Sequence, residues 1–264
     1  YLLQHNLKDP GALRGLGICL FKFGEVVSSR KCFRALVELH KSEEAHYWLA
    51  LGYQMESNDA VAIEHFNQVR SPQIFSADQR FDFYKNYGNS LTRMNQLDRA
   101  ESQYTKALEL SPTSDTLHVN LGTLFIQRQE WGKARECFAH AADLNPNSSR
   151  AQCGLGLTAL ALEQKTEAKN FFNQALNLDA QNIVALHQLL ELSTSQEELP
   201  NLKTRLRAFL EKDPNHADTH YALAALLFKE ESWKACEIHA SRALEIDPKH
   251  ARALKLRSDL NSLV

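Results

Sequence analysis

The sequence predicts an all-α protein, a right-handed superhelical α-solenoid of about seven helix-turn-helix units stacked side by side. Three observations carry that expectation. Turn formers are scarce, with 10 glycines and 7 prolines in 264 residues, below the usual shares of roughly 7% and 5%. Five of the seven prolines keep a beat of 34 residues: Pro112 and Pro146, then Pro214 and Pro248 after a double interval, with Pro10 three intervals before Pro112. Five further columns share the interval: Gly88, Gly122 and Gly156; Ala100, Ala134 and Ala168; Tyr104, Phe138 and Phe172; Ala107, Ala141 and Ala175; Leu110, Leu144 and Leu178.

Each period reads as two helices. In 115–148, Leu121, Leu124 and Phe125 recur at i, i+3 and i+4, one face of a helix. A polar turn at 127–130 leads to a second stripe of Ala134, Phe138, Ala141 and Ala142. Asn145-Pro146-Asn147-Ser148 then stops that helix and offers cap side chains to the next. Small residues at 122 and 134 allow two antiparallel helices to approach, and Phe138 fills the gap between neighbouring hairpins. One hairpin cannot bury its stripe alone, so the units stack.

These residues resemble the tetratricopeptide repeat: Leu-Gly followed by an apolar position, then Ala with Phe or Tyr four residues on, then Ala-Leu or Ala-Ala ahead of the closing proline. The resemblance covers the chain as one array of units at 10–43, 45–80, 81–114, 115–148, 149–182, 183–216 and 217–250. It makes 1–9 the end of a preceding unit and 251–264 a C-terminal capping helix. Irregularity is expected at Ser71-Pro72-Gln73-Ile74-Phe75, ahead of a capping box Ser76-x-x-Gln79, and again at 183–202, where Leu190 and Leu202 replace small residues and Pro200 falls in a first helical turn.

Composition bounds the function. A formal charge of −2 lacks the basic excess that nucleic-acid or anionic-membrane binders need. No apolar run reaches the 18 or more residues of a membrane span. Five cysteines, Cys19, Cys32, Cys137, Cys153 and Cys236, form no Cys-x-x-Cys pair and read as structural thiols of a reducing, cytoplasmic setting. The start at Tyr1 reads as the middle of a helix, so the chain is expected to be a piece of a longer one. Phosphate-loop, zinc-protease and nucleophile-elbow motifs are missing, and no cofactor or metal is expected. His216 and His220 have metal-pair spacing, but His220 shares a column with Trp48, Tyr84 and His118 and reads as a packing histidine. The carboxylate pairs Glu43-Glu44, Glu197-Glu198 and Glu230-Glu231 read as solvated caps.

The resemblance places the first helix of each unit on the concave face. Its inward columns carry Asp82, Lys85, Asn86, Asn89, Thr92 and Arg93, then Thr116, Val119, Asn120, Thr123 and Gln127, then Arg150, Cys153 and Gly154. Lys85, Asn89, Asn120 and Arg150 match, column by column, the carboxylate clamp of co-chaperone members of the family, with Gly154 standing where the clamp has Arg. Converging cationic and amide donors would bind an anion through charge-assisted bonds, each worth about 1.5–3 kcal/mol. The expectation is therefore a non-enzymatic scaffold or adaptor. It would bind a peptide or protein segment, with an acidic or carboxylate end as one form, through Lys85, Asn86, Asn89, Arg93, Asn120, Thr123 and Arg150. The alternatives are an accessory region of a larger enzyme such as a glycosyltransferase, or a self-assembling part of a secretion, motility or pilus apparatus.

Overall fold

Apolar stripes at helical spacing, broken by short capped links, produce fifteen helices and no strand among the described residues. The structure is a computed structural model and describes residues 9–192 and 199–262. The expectation for 1–8 and the Glu197-Glu198 pair lie outside the described residues. The chain divides into two compact units, Tyr1–Glu130 and Trp131–Val264.

The first unit holds α1 (Pro10–Lys22), α2 (Val26–His40), α3 (Glu43–Met55), α4 (Asp59–Asn67), α5 (Ala77–Arg93), α6 (Leu97–Leu110) and α7 (Asp115–Gln127). Each helix packs on the next, and α1, α3, α5 and α7 also touch one another in turn. The odd helices therefore form one layer and the even helices lie behind them. The links are capped as the short polar residues demand: the Ala45, Leu117 and Ala12 amides donate to Ser42, Ser114 and Asp9 side chains. At the expected irregularity a single 3₁₀ turn, Pro72–Ile74, precedes α5. Ser76 and Gln79 close a reciprocal capping box, and α5 runs to 17 residues.

The second unit holds α8 (Trp131–Leu144), α9 (Ser149–Ala161), α10 (Lys165–Leu178), α11 (Ile183–Leu192), α12 (Leu199–Lys212), α13 (Ala217–Lys229), α14 (Trp233–Ile246) and α15 (Ala251–Asn261). Here α9, α11, α13 and α15 make the shared layer. One continuous core runs through it, with Phe172, Leu186, Leu206 and Leu223 all but fully buried. Pro200 sits in the first turn of α12, where its missing N–H leaves no bond unmade.

Hairpin turns share one backbone device. Ser57, Asn95, Gln129, Glu163 and Glu231 all have φ between 56° and 62°, and Gly24 has φ 81°. These residues also fix the register. His46 stands as far ahead of Ser57 as Tyr84, His118 and His220 stand ahead of Asn95, Gln129 and Glu231. His46, not Trp48, therefore belongs to that column. The extra residues lie downstream of α4, in the 3₁₀ turn and the added first turn of α5, where spacing alone could not locate them.

Candidate functional site

The longest helix, α5, gathers four of the seven expected contact residues. Lys85, Asn86, Asn89 and Arg93 recur at spacings of three and four, so they share a face. Lys85 Nζ lies 2.5 Å from Asp82 Oδ1 and 5.1 Å from the Phe81 ring centre. The Asn86 carbonyl accepts a 2.7 Å bond from Gln54 Nε2, which also donates to Ser90 Oγ at 2.6 Å. The Asn86 side chain meets the buried Tyr47 phenol, whose acidity is weakened by burial and then by the charge of Asp82.

Arg93 is held differently. Its Nε and Nη2 each donate to Asp59 at 2.7 Å, a fork-on-fork ion pair reaching back to α4. Ser90 donates to the same carboxylate at 2.6 Å. Burial pushes the Asp59 carboxyl up, but the bonds from Arg93 and Ser90 outweigh it and hold the group below the usual carboxylate range.

Asn89 and Asn120 are brought together across two hairpins. Asn120 Nδ2 donates to Asn89 Oδ1 at 2.9 Å, and the Tyr104 hydroxyl donates to the same oxygen at 2.9 Å. Tyr104 is fully buried and also lies 3.1 Å from Thr92 Oγ1. Two donors on one oxygen fix the Asn89 amide, so its Nδ2 is turned away from both. Phe138 and Phe172 share the Tyr104 column; only the tyrosine can make this bond. In the sequence, the hydroxyl that sets Tyr104 apart from the phenylalanines of its column is the signal of this role.

Thr123 is exposed on α7, its hydroxyl bonded to the Val119 carbonyl at 2.9 Å. Arg150 is exposed in the first turn of α9, in the second unit. Three residues expected to point inward are buried instead: Thr92 lies against Tyr104 of α6, and Val119 and Cys153 are covered where neighbouring helices press together. Burial pushes the Cys153 thiol up to about 12 against a weaker opposing bond from Asn182, so the sulfur stays protonated. Gly154 packs against the Phe138 ring: an ideal Cβ at 154 would stand 2.3 Å from Phe138 Cδ1. The arginine that completes the family's clamp has no room there.

The histidines do not converge on a metal. His216 Nδ1 caps α13 by accepting from the Thr219 amide at 3.2 Å, while the buried His220 faces His239. Among the described residues no three His, Cys, Asp or Glu side chains form a metal-holding group. No described helix is long and apolar enough to cross a membrane.

Capped helical hairpins, stacked one on the next within each unit, define a helical-repeat protein. Two tetratricopeptide repeat family models match this chain, over residues 91–153 and 149–182. Residues 91–182 are therefore tetratricopeptide repeats. Among solved structures, a tetratricopeptide repeat protein from Parabacteroides merdae is 13% identical, with 94% of this chain and 96% of that one covered at a TM-score of 0.71. Yeast Tom70 is 15% identical, covering 99% of this chain and 56% of its own at 0.70. A chain of the APC/C hetero-tetramer Cut9-Hcn1 is 19% identical, covering 92% and 48% at 0.70. This chain thus spans about half the length of the last two, and likenesses at this identity establish the fold alone. No curated protein sequence matches it.

Proposed function

We propose that this protein is a non-catalytic interaction scaffold that holds an extended segment of another protein against its odd-numbered helices. The observation that carries the reading is the Asn89–Asn120 amide pair, which joins α5 to α7 and is oriented from behind by Tyr104. Fixed amides on a rigid layer suit main-chain recognition, since every peptide bond offers both a donor and an acceptor. The ligand then bears most of the ordering entropy. Asn86, Asn89, Asn120 and Thr123 supply neutral contacts, and Lys85 and Arg93 flank them. Arg150 is exposed on α9 of the second unit and is a separate candidate contact.

Two features favour an internal segment over a free C-terminus. Lys85 is already paired with Asp82, and Arg93 with Asp59, so an incoming carboxylate would have to compete for both cations. Phe138 also denies position 154 to a clamp arginine. An accessory role within a larger enzyme would leave this reading of the layer unchanged.

The test is photo-crosslinking in cells, with p-benzoylphenylalanine at Thr123 on α7 or at Lys106 on the outer helix α6. Crosslinks to polypeptides from position 123 that fade in the Lys85→Ala/Asn120→Ala background support the proposal. Equal yields from both positions, or no effect of that double substitution, overturn it.

A further inference from the structure

Two hairpins carry the same device. In α3–α4, His46 Nδ1 and His65 Nδ1 are 2.9 Å apart; in α13–α14, His220 Nδ1 and His239 Nδ1 are 3.0 Å apart. His46 and His220 occupy one column, and each partner follows after the same number of residues. Ring centres lie 5.2 and 5.3 Å apart, the N···N separation plus two ring radii, so the rings meet head to head. We infer that these paired imidazoles are acid-sensitive clasps, which join the two helices of each hairpin when one proton lies between the rings and release them when a second proton is added.

The tautomer can be assigned in the second clasp. His220 Nε2 lies 3.1 Å from the Pro214 carbonyl, which can only accept, so Nε2 carries hydrogen. In the neutral ring Nδ1 is then a lone pair, and the bond between the rings is donated by His239 Nδ1–H. Uptake of one proton from solvent at His220 Nδ1 leaves an N–H facing an N–H, with no acceptor between them and one positive charge added. The first clasp has the same balance whichever ring donates.

The surroundings oppose the added charge. Around His46 and His65, Arg34 approaches from α2 and the Tyr53 ring stacks on His65, while the Glu43 carboxylate on α3 acts in the opposite sense on His46. On the α5 side of α4, the Arg93 guanidinium is taken up by Asp59. Around His239, Arg207 approaches from α12; on the α15 side of α13, His250 is bonded to Asp218. Burial, then the neighbouring ring, then the arginine hold His65 at about 4 and push His239 down from the ordinary value. A folded-state value below the unfolded one of about 6.5 means the unfolded chain takes up the proton first. The clasp's contribution is therefore whole above about pH 6.5 and fades toward about pH 4. Because α4 also carries Asp59, loosening the first clasp would free the anchor of Arg93 and Ser90 on α5.

The test is hydrogen exchange with mass spectrometry on the whole chain at pH 7.5, 6 and 5, corrected for intrinsic exchange. The hairpins α5–α6 and α9–α10 carry no histidine and serve as internal controls. Amides of α3–α4 and α13–α14 should lose protection by about tenfold or more relative to α9–α10 at pH 5. His65→Gln and His239→Gln, which bridge without titrating, should abolish the difference. Equal acid response in all hairpins, or an unchanged response in the Gln variants, overturns the inference. Should those variants fail to fold, nitrogen-15 spectra of the wild-type imidazoles decide it. A protonated His220 Nε2 with His65 and His239 titrating below the ordinary range supports the clasp, and ordinary titration of both overturns it.

Discussion

Phe138 occupies the space that any side chain at position 154 would need. Its Cδ1, Cε1 and Cγ lie 2.3, 2.4 and 2.5 Å from where a Cβ on Gly154 would stand, and the ring is 2% exposed. A whole buried ring edge, not the tip of a flexible chain, is in the way. Gly154→Ala should therefore destabilise by about 1–3 kcal/mol, although alanine is the better helix former by roughly 0.5–1 kcal/mol. Gly15→Ala, where a new Cβ meets nothing within 4 Å, should instead stabilise by about that smaller amount. Urea melts of the two variants would show opposite shifts; a shift in the same direction for both would refute the steric account.

The left-handed turn residues make a second prediction. An L-residue there costs roughly 1–2 kcal/mol, while glycine's extra chain entropy costs roughly 0.5–1 kcal/mol. Gln129→Gly and Glu163→Gly, at φ 61° and 62°, should thus raise stability by up to about 1 kcal/mol. Asn95→Gly should change little, because asparagine tolerates that region. Thermal melts that rank Asn95→Gly with the other two would contradict the argument.

Asp59 should be the most costly surface-adjacent carboxylate to remove. It is 7% exposed and accepts from Arg93 twice and from Ser90 once. Asp59→Ala leaves a buried hydroxyl and a half-exposed guanidinium without their acceptor, a loss of about 2–3 kcal/mol. Arg93→Ala should cost less, since that side chain is half in water. The pH sense follows from a folded-state value below the ordinary one: the contribution is whole above about pH 4 and is lost as pH falls further. Acid titration of Asp59→Asn beside wild type would expose the difference, and parallel curves would remove the ion pair from the account.

Much of this was legible because repeats sample the same physics many times. The Ser76 capping box, the stop at Asn145-Pro146 and the first-turn Pro200 are local rules that the structure obeys. The column of His46 was not legible, because inserted residues shift spacing without saying where they sit. Nor was the burial of Val119 and Cys153, which depends on how closely neighbouring odd helices press together. Polar partnerships between hairpins, such as Asp59 with Arg93 or His220 with His239, lie beyond any single helical period.

Tyr104 offers the sharpest separation of scaffold from site. Its hydroxyl donates to Asn89 Oδ1 and meets Thr92 Oγ1, yet its ring fills a slot that phenylalanine fills at 138 and 172. Tyr104→Phe keeps the ring against Gly88, whose absent Cβ would stand 2.5 Å from Tyr104 Cε1. Stability should fall by only about 0.5–1.5 kcal/mol for the lost hydrogen bond. Asn89, however, would lose one of the two donors that fix its amide, and Asn120 alone cannot hold it against rotation. Crosslinking from position 123 should drop severalfold while the melting transition barely moves. A variant that binds as wild type would mean that the amide pair needs no support from behind, and that Asn89 is not the residue through which the layer reads a ligand.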